Sequence, residues 1–313
     1  MNEDVLREIL YHADIQSVFR MCQMNKTLCH KQDDLFRHIY DCFYHQTGMD
    51  VFKTAEMTWF QLLKLCYQLS RLFILIPSLK KYTVKELYTM KELLLYDEKI
   101  KVLPPGISQL INLKCLNLSN NQLSALPPEI GHFSALQILI LSNNQLSALP
   151  PEMGQLIALQ YLSLSDNQLS ALPPEIGQLR ALQALNLSNN QLSALPPEIG
   201  QLINLQTLSL SYNKLSALPP EIGQLSHLQK LYLHHNKLSA LPTEIGQLRA
   251  LQTLFLSNNQ LSVLPSEIGQ LGGLQYLDLS YNQLSALPSE IGQLWDLQEL
   301  YLSYNQLSAL PPE

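Results

Sequence analysis

From Leu103 onward, apolar residues return at fixed places in a 23-residue period. Leu-Pro recurs at 103, 126, 149, 172, 195, 218, 241, 264, 287 and 310, without insertion or deletion. Residues 172–194, LPPEIGQLRALQALNLSNNQLSA, are a typical unit. Within it Leu185 and Leu187 alternate with Ala184, Asn186 and Ser188, the period-2 pattern of a half-buried strand. One short strand cannot bury its own leucines, so the units must stack, giving a parallel sheet over a continuous leucine core. Pro196 and Pro197 disfavour a strand and suit an extended turn or the start of a short helix, and Gly200 punctuates the return. The period reaches back once more in degraded form. Met90, Leu93, Leu95, Ile100 and Leu103 hold leucine positions of a first unit over 90–102, with Glu98 where later units carry Asn.

The first ninety residues have a different period. Val5, Leu6, Ile9 and Leu10 are spaced as on a helix, and Asp14 suits the cap of a second helix containing Ile15, Val18 and Phe19. Leu35, Phe36, Ile39, Tyr40 and Phe43 form a third apolar stripe, residues 57–63 begin another, and Pro77 closes the block. The pattern therefore predicts two domains, helices over 1–89 and repeats over 90–313.

Leu182, Leu185, Leu187, Asn190 and Leu192 spell L-x-x-L-x-L-x-x-N-x-L. This resembles the leucine-rich repeat, in the intracellular class that carries Leu-Pro-x-x-Ile-Gly in each unit. The resemblance implies a right-handed α/β solenoid of about ten parallel strands whose outward strand positions line a concave, protein-binding face. It also implies an asparagine ladder at Asn121, Asn144, Asn167, Asn190, Asn213, Asn236, Asn259, Asn282 and Asn305. A buried carboxamide satisfies turn N–H and C=O groups that neither sheet nor water reaches, so the ladder is read as structural. A second resemblance lies at 4–45, where Glu3 to Leu10, Asp14 to Val18 and Met24 to Leu28 are similar in order to an F-box, in the form found in large DNA viruses. It departs from that pattern in lacking the opening Leu-Pro and in having Leu28 where Trp is common. It implies a Skp1-type adaptor as partner, with Val5, Leu6, Ile9, Leu10, Ile15 and Val18 as candidate contacts.

Charge refines this picture. The net charge is −6, unsuited to a phosphate-binding surface, so nucleic acid is not an expected partner. The head is nearly neutral, and the repeats carry the acidity. Most of it is one glutamate per unit after Leu-Pro-x, from Glu129 to Glu313, at the expected start of each return, where a carboxylate complements backbone N–H groups. The acidic start Met1-Asn2-Glu3-Asp4 excludes a signal peptide in this chain, no apolar run is long enough for a membrane span, and the five cysteines form no secreted framework. An intracellular, cytoplasmic protein is expected, with no membrane partner. Cys22, Cys29, His30, Cys42 and His45 do not match a common structural zinc spacing, and neither a metal nor a cofactor is expected.

Copies this similar act as their own control, because positions that vary are free for other roles. On the outward strand positions and just beyond them, Tyr212, Lys230, Tyr232, His234, His235, Phe255, Tyr276, Asp278, Tyr281, Tyr301 and Tyr304 depart from the small polar consensus. Exposed aromatics are typical anchors for protein partners. A metal site at His234, His235 and Asp278 is disfavoured because neighbours on a strand point to opposite faces. The repeated serines have no repeated base, so no hydrolytic constellation forms. The expected function is non-catalytic protein recognition, either as an F-box-type substrate receptor for a cullin ubiquitin ligase or as a stand-alone repeat scaffold whose helices cap the stack. The absence of a polar capping unit after the last strand suggests weak end-to-end self-association.

Overall fold

The computed structural model describes residues 76–310 continuously and, before them, Arg37 and residues 49–52, 61–62, 65–66, 69 and 72. The candidate adaptor contacts Val5, Leu6, Ile9, Leu10, Ile15 and Val18, the cysteines and histidines from Cys22 to His45, and all of 4–45 except Arg37 lie outside the described residues. The chain divides into two compact units: Met1–Met90 with Gly106–Leu110, and Lys91–Pro105 with Ile111–Glu313.

In the first unit, Leu62, Leu65, Cys66, Leu69 and Leu72 are helical and buried. Their spacing of three and four puts them on one helix face. The Ile76 N–H donates to Leu72 O at 2.7 Å, and a 3₁₀ turn follows at Pro77–Lys81. Helix α1, Val84–Thr89, starts at a capping box. The Glu86 N–H donates to Thr83 Oγ1 at 3.2 Å and the Thr83 N–H to Glu86 Oε2 at 2.7 Å, two otherwise unpaired donors satisfied reciprocally. The bond from the Thr83 N–H, with a second from Thr83 Oγ1 at 2.9 Å, holds the Glu86 carboxyl below its ordinary value.

The second unit is one sheet of ten parallel strands in sequence order. The strands are β1 (Glu92–Leu94), β2 (Cys115–Asn117), β3 (Ile138–Ile140), β4 (Tyr161–Ser163), β5 (Ala184–Asn186), β6 (Thr207–Ser209), β7 (Lys230–Tyr232), β8 (Thr253–Phe255), β9 (Tyr276–Asp278) and β10 (Glu299–Tyr301). Each has three residues, and the register never slips, so Leu208 lies beside Leu231 and Leu231 beside Leu254. That constancy follows from the fixed period: any slip would turn the central leucine out of the core. The leucines of successive units, such as Leu185, Leu187 and Leu192, are fully or almost fully buried. β1 lies before Leu103 and pairs with β2, and Leu93, Leu95, Ile100 and Leu103 are buried. In β10 all three residues are exposed, Leu300 at 37 %.

The returns are 3₁₀ turns, not α-helices. In the unit at 195–217, Pro196 caps the turn at φ −70 and ψ 147, and the turn runs Pro197–Gln201. Five residues suit the i→i+3 bonds of a 3₁₀ turn, which closes in less chain than an α-helix. Neighbouring returns then pack backbone on backbone. A Cβ added at Gly200 would lie 2.5 Å from Glu221 O and 2.8 Å from Gln224 Oε1, whereas one at Gly272 would meet nothing within 4 Å. Gly200→Ala is therefore expected to destabilise the protein by about 2 kcal/mol or more, and Gly272→Ala to stay within about 1 kcal/mol of the parent. Thermal unfolding of the two variants side by side checks the pair.

The carboxamides join each unit to the one before. Asn190 Oδ1 accepts the Leu169 N–H at 3.0 Å, and its Nδ2 donates to Leu164 O at 2.9 Å, Leu187 O at 3.0 Å and Ser188 O at 3.2 Å. The same set recurs along the stack through Asn282, and Asn305 keeps the bonds to Leu284 N, Leu279 O and Leu302 O. The first unit, with Glu98 at this position, is served by Asn121, whose Oδ1 accepts the N–H groups of Glu98 and Ile100.

Candidate functional site

With each central leucine turned inward, the first and third residues of every strand point to the other face of the sheet, and register aligns them into rows. One row runs Thr207, Lys230, Thr253, Tyr276, Glu299, and the next runs Ser209, Tyr232, Phe255, Asp278, Tyr301. Beyond the strand ends follow Ser211, His234, Ser257, Ser280 and Ser303, then a rim of Tyr212, His235, Asn258, Tyr281 and Tyr304. The residues singled out by sequence variation thus occupy adjacent strands and their rim.

Within that region the structure forms separate ring clusters. Tyr212 stacks on His235 with centroids 4.2 Å apart and meets His234 edge-on at 5.4 Å. Tyr232 and Phe255 make a T-shaped pair at 5.5 Å on neighbouring strands. Tyr281 and Tyr304 stack at 4.2 Å. Asn258 sits in the rim between His235 and Tyr281 and separates the two stacks. Tyr276 OH donates to Gln298 Oε1 at 3.3 Å, and Tyr301 OH donates to Glu299 Oε2.

His234 Nδ1 is 2.9 Å from Ser211 Oγ. Partial burial, and secondarily its neighbour His235, hold its pKa below the ordinary histidine value, against a smaller pull upward from Asp278. The neutral imidazole is thereby favoured. Glu299, through its bond to the phenol and its charge, then partial desolvation and Asp278, push Tyr301 above its usual value. Among the described residues, no group of three His, Cys, Asp or Glu side chains is placed to hold a metal ion. No helix among them is long and apolar enough to cross a membrane.

Strand alternation does not account for the rim backbone. Tyr212, His235, Tyr281 and Tyr304 have φ of 54 to 57, the left-handed region, as do Asn120, Asn143, Asp166, Asn189 and Asn258 at the same place in other units. Asn and Asp adopt this conformation readily, whereas a bulky side chain carries a cost of about 1 kcal/mol or more. Four aromatic or imidazole rings therefore occupy positions where the local backbone favours Asn. The signal was available in the sequence, since every other full unit has Asn or Asp there. Relief of this strain should offset the lost ring stacking, about 0.5–1.5 kcal/mol. Tyr281→Asn is accordingly expected to leave the thermal midpoint within a few degrees of the parent, measured by circular dichroism.

Comparison with known proteins places the repeats among relatives. The family described as leucine-rich repeat region matches residues 151–231, 185–254 and 220–277, and that described as leucine rich repeat matches 88–146 and 249–307. No curated protein matches in sequence. Among solved structures, a leucine-rich-repeat protein of Leptospira interrogans is 39 % identical, covering 68 % of this chain and 72 % of that one, with a TM-score of 0.39. The functional domain of InlJ from Listeria monocytogenes, which includes a cysteine ladder, is 22 % identical with a TM-score of 0.58. That match covers 74 % of this chain and 54 % of the InlJ domain, so the chain spans about half of that relative's length. The second similarity concerns the fold; in this chain the buried ladder is of asparagine.

Proposed function

Because the chain belongs to the leucine-rich-repeat proteins, we propose that it is a non-catalytic protein-recognition module whose target docks on the concave sheet face over β6–β10. The observation that carries this reading is the rim: Tyr212, His235, Tyr281 and Tyr304 hold exposed rings on left-handed backbone. Departures from favoured backbone are concentrated at binding sites, where the rest of the fold can hold them. The sheet beside the rim supplies Tyr232 and Phe255, large anchors with few torsions to immobilise. A photo-crosslinking benzoylphenylalanine in place of Tyr276 is expected to trap the target in cells, and one in place of the exposed Ile157, outside the sheet, is not. Equal trapping from both positions would remove the assignment to this face.

The F-box-like order at 4–45 supports a second element of the proposal: residues 1–89 form a separate domain that docks on a Skp1-type adaptor, making the repeats the substrate receptor of a cullin ubiquitin ligase. Co-purification of the whole chain with such an adaptor tests this element by itself. Its failure at micromolar concentration would leave the repeats as a stand-alone scaffold.

A further inference from the structure

Across β2–β10 the two outward positions carry only three charged side chains, Lys230, Asp278 and Glu299, all on β7–β10. They are segregated by sign. Lys230 is on β7, with neutral Thr207 and Thr253 beside it in the same row; Lys214 and Lys237, both exposed, lie past the ladder asparagines of the β6 and β7 units, where the other full units have Gln. No carboxylate lies in 207–217 or 230–240, the strand and rim segments of these two units. Two and three strands further on, Asp278 and Glu299 stand among tyrosines. Their partners are neutral donors: Asp278 Oδ1 accepts the Ser280 N–H at 3.0 Å, and Glu299 accepts from Tyr301 OH. Lys214 Nζ likewise donates to the neutral Gln191 Oε1 at 3.1 Å. Among the described residues these bonds leave Asp278 and Glu299 without an opposite charge, on a face otherwise built from neutral groups, with Tyr232 and Phe255 on the strands toward Lys230.

Resting on the proposed docking face, we infer that its occupant is a polypeptide segment of opposite polarity. An acidic side chain seats over β7 against Lys230, an apolar or aromatic residue over Tyr232 and Phe255, and a basic side chain over Asp278 and Glu299. Strands are spaced about 4.8 Å apart, so the two charged ends are about 10–15 Å apart. An extended chain crossing the strands covers that distance in about three to five residues. Aromatic rings beside the carboxylates add a cation–π contribution for the basic residue. Complementary fields of this kind fix the direction in which a segment lies and exclude the reversed charge order.

The repeats supply the controls. Lys230→Thr gives the residue that Thr207 and Thr253 provide in the same row. Asp278→Asn installs the residue that Asn117 and Asn186 provide at the same strand position, each accepting the same turn N–H through Oδ1. The probe is a random twelve-residue peptide library displayed on phage and selected on the whole chain. Enriched peptides are expected to pair Asp or Glu with Lys or Arg, three to five residues apart, around an apolar residue. Lys230→Thr should weaken these peptides about tenfold or more and abolish selection for the acid. Asp278→Asn with Glu299→Gln should do the same for the base. No enrichment, or enriched peptides indifferent to both sets of substitutions, overturns the polarity. Peptides lost with Phe255→Ala but indifferent to the charge changes overturn it alone, whereas peptides that also survive Phe255→Ala overturn the docking face itself.

Discussion

Asn190→Ala should lower the unfolding free energy by about 4 kcal/mol, the largest single-site loss expected in the repeats. The side chain accepts from Leu169 N and donates to Leu164 O, Leu187 O and Ser188 O. Asn190 is 8 % exposed, and the leucines it serves are buried. An unsatisfied buried backbone group costs about 1–3 kcal/mol, and truncation strands several at once. The effect extends over two units because the bonds reach back 21 and 26 residues. The exposed neighbour Gln191→Ala is the control, expected within about 0.5 kcal/mol of the parent. Denaturant unfolding followed by circular dichroism measures both. A loss below 1 kcal/mol at Asn190 would mean that the ladder carboxamide is replaceable by solvent.

Tyr232→Ala combined with Phe255→Ala should reduce capture of the target by roughly a hundredfold or more, the size expected when paired central anchors are removed. The two rings touch each other at 5.5 Å across neighbouring strands, on the face away from the leucine core. Their removal forfeits the ring pair, about 0.5–1.5 kcal/mol, and opens no cavity among the leucines. Stability should therefore fall by about 1 kcal/mol while binding collapses. Titration calorimetry with the crosslinked target, beside a thermal scan, separates the two quantities. Retained affinity would relocate the binding surface, and a parallel loss of stability and affinity would make these rings part of the core.

The repeat architecture was legible because one unit repeats without length change. Leucine spacing, Leu-Pro and the ladder Asn each report the same fold, and parallel pairing in constant register is then the arrangement that buries the leucines. The variable aromatics were legible by contrast with the other copies. Their mutual arrangement was not, because a list of row positions does not say which rings touch. Tyr212 turns to His235, Tyr281 to Tyr304, and Asn258 keeps the stacks apart. The returns read as a short helix or an extended turn, whereas the chain closes them as 3₁₀ turns because five residues entered from an extended proline suit the tighter ladder, with or without a second proline.

By itself the sequence determined the number of strands, the residues facing the core and the carboxamides binding unit to unit, since all three follow from a fixed period and the need to bury leucine. Only the tertiary structure decided which Cβ positions are closed by the neighbouring return, as at Gly200. It likewise decided which charges stand together at one end of a face and which rings rest on left-handed backbone. Those properties depend on the stacking of one unit against the next, and no single unit contains them.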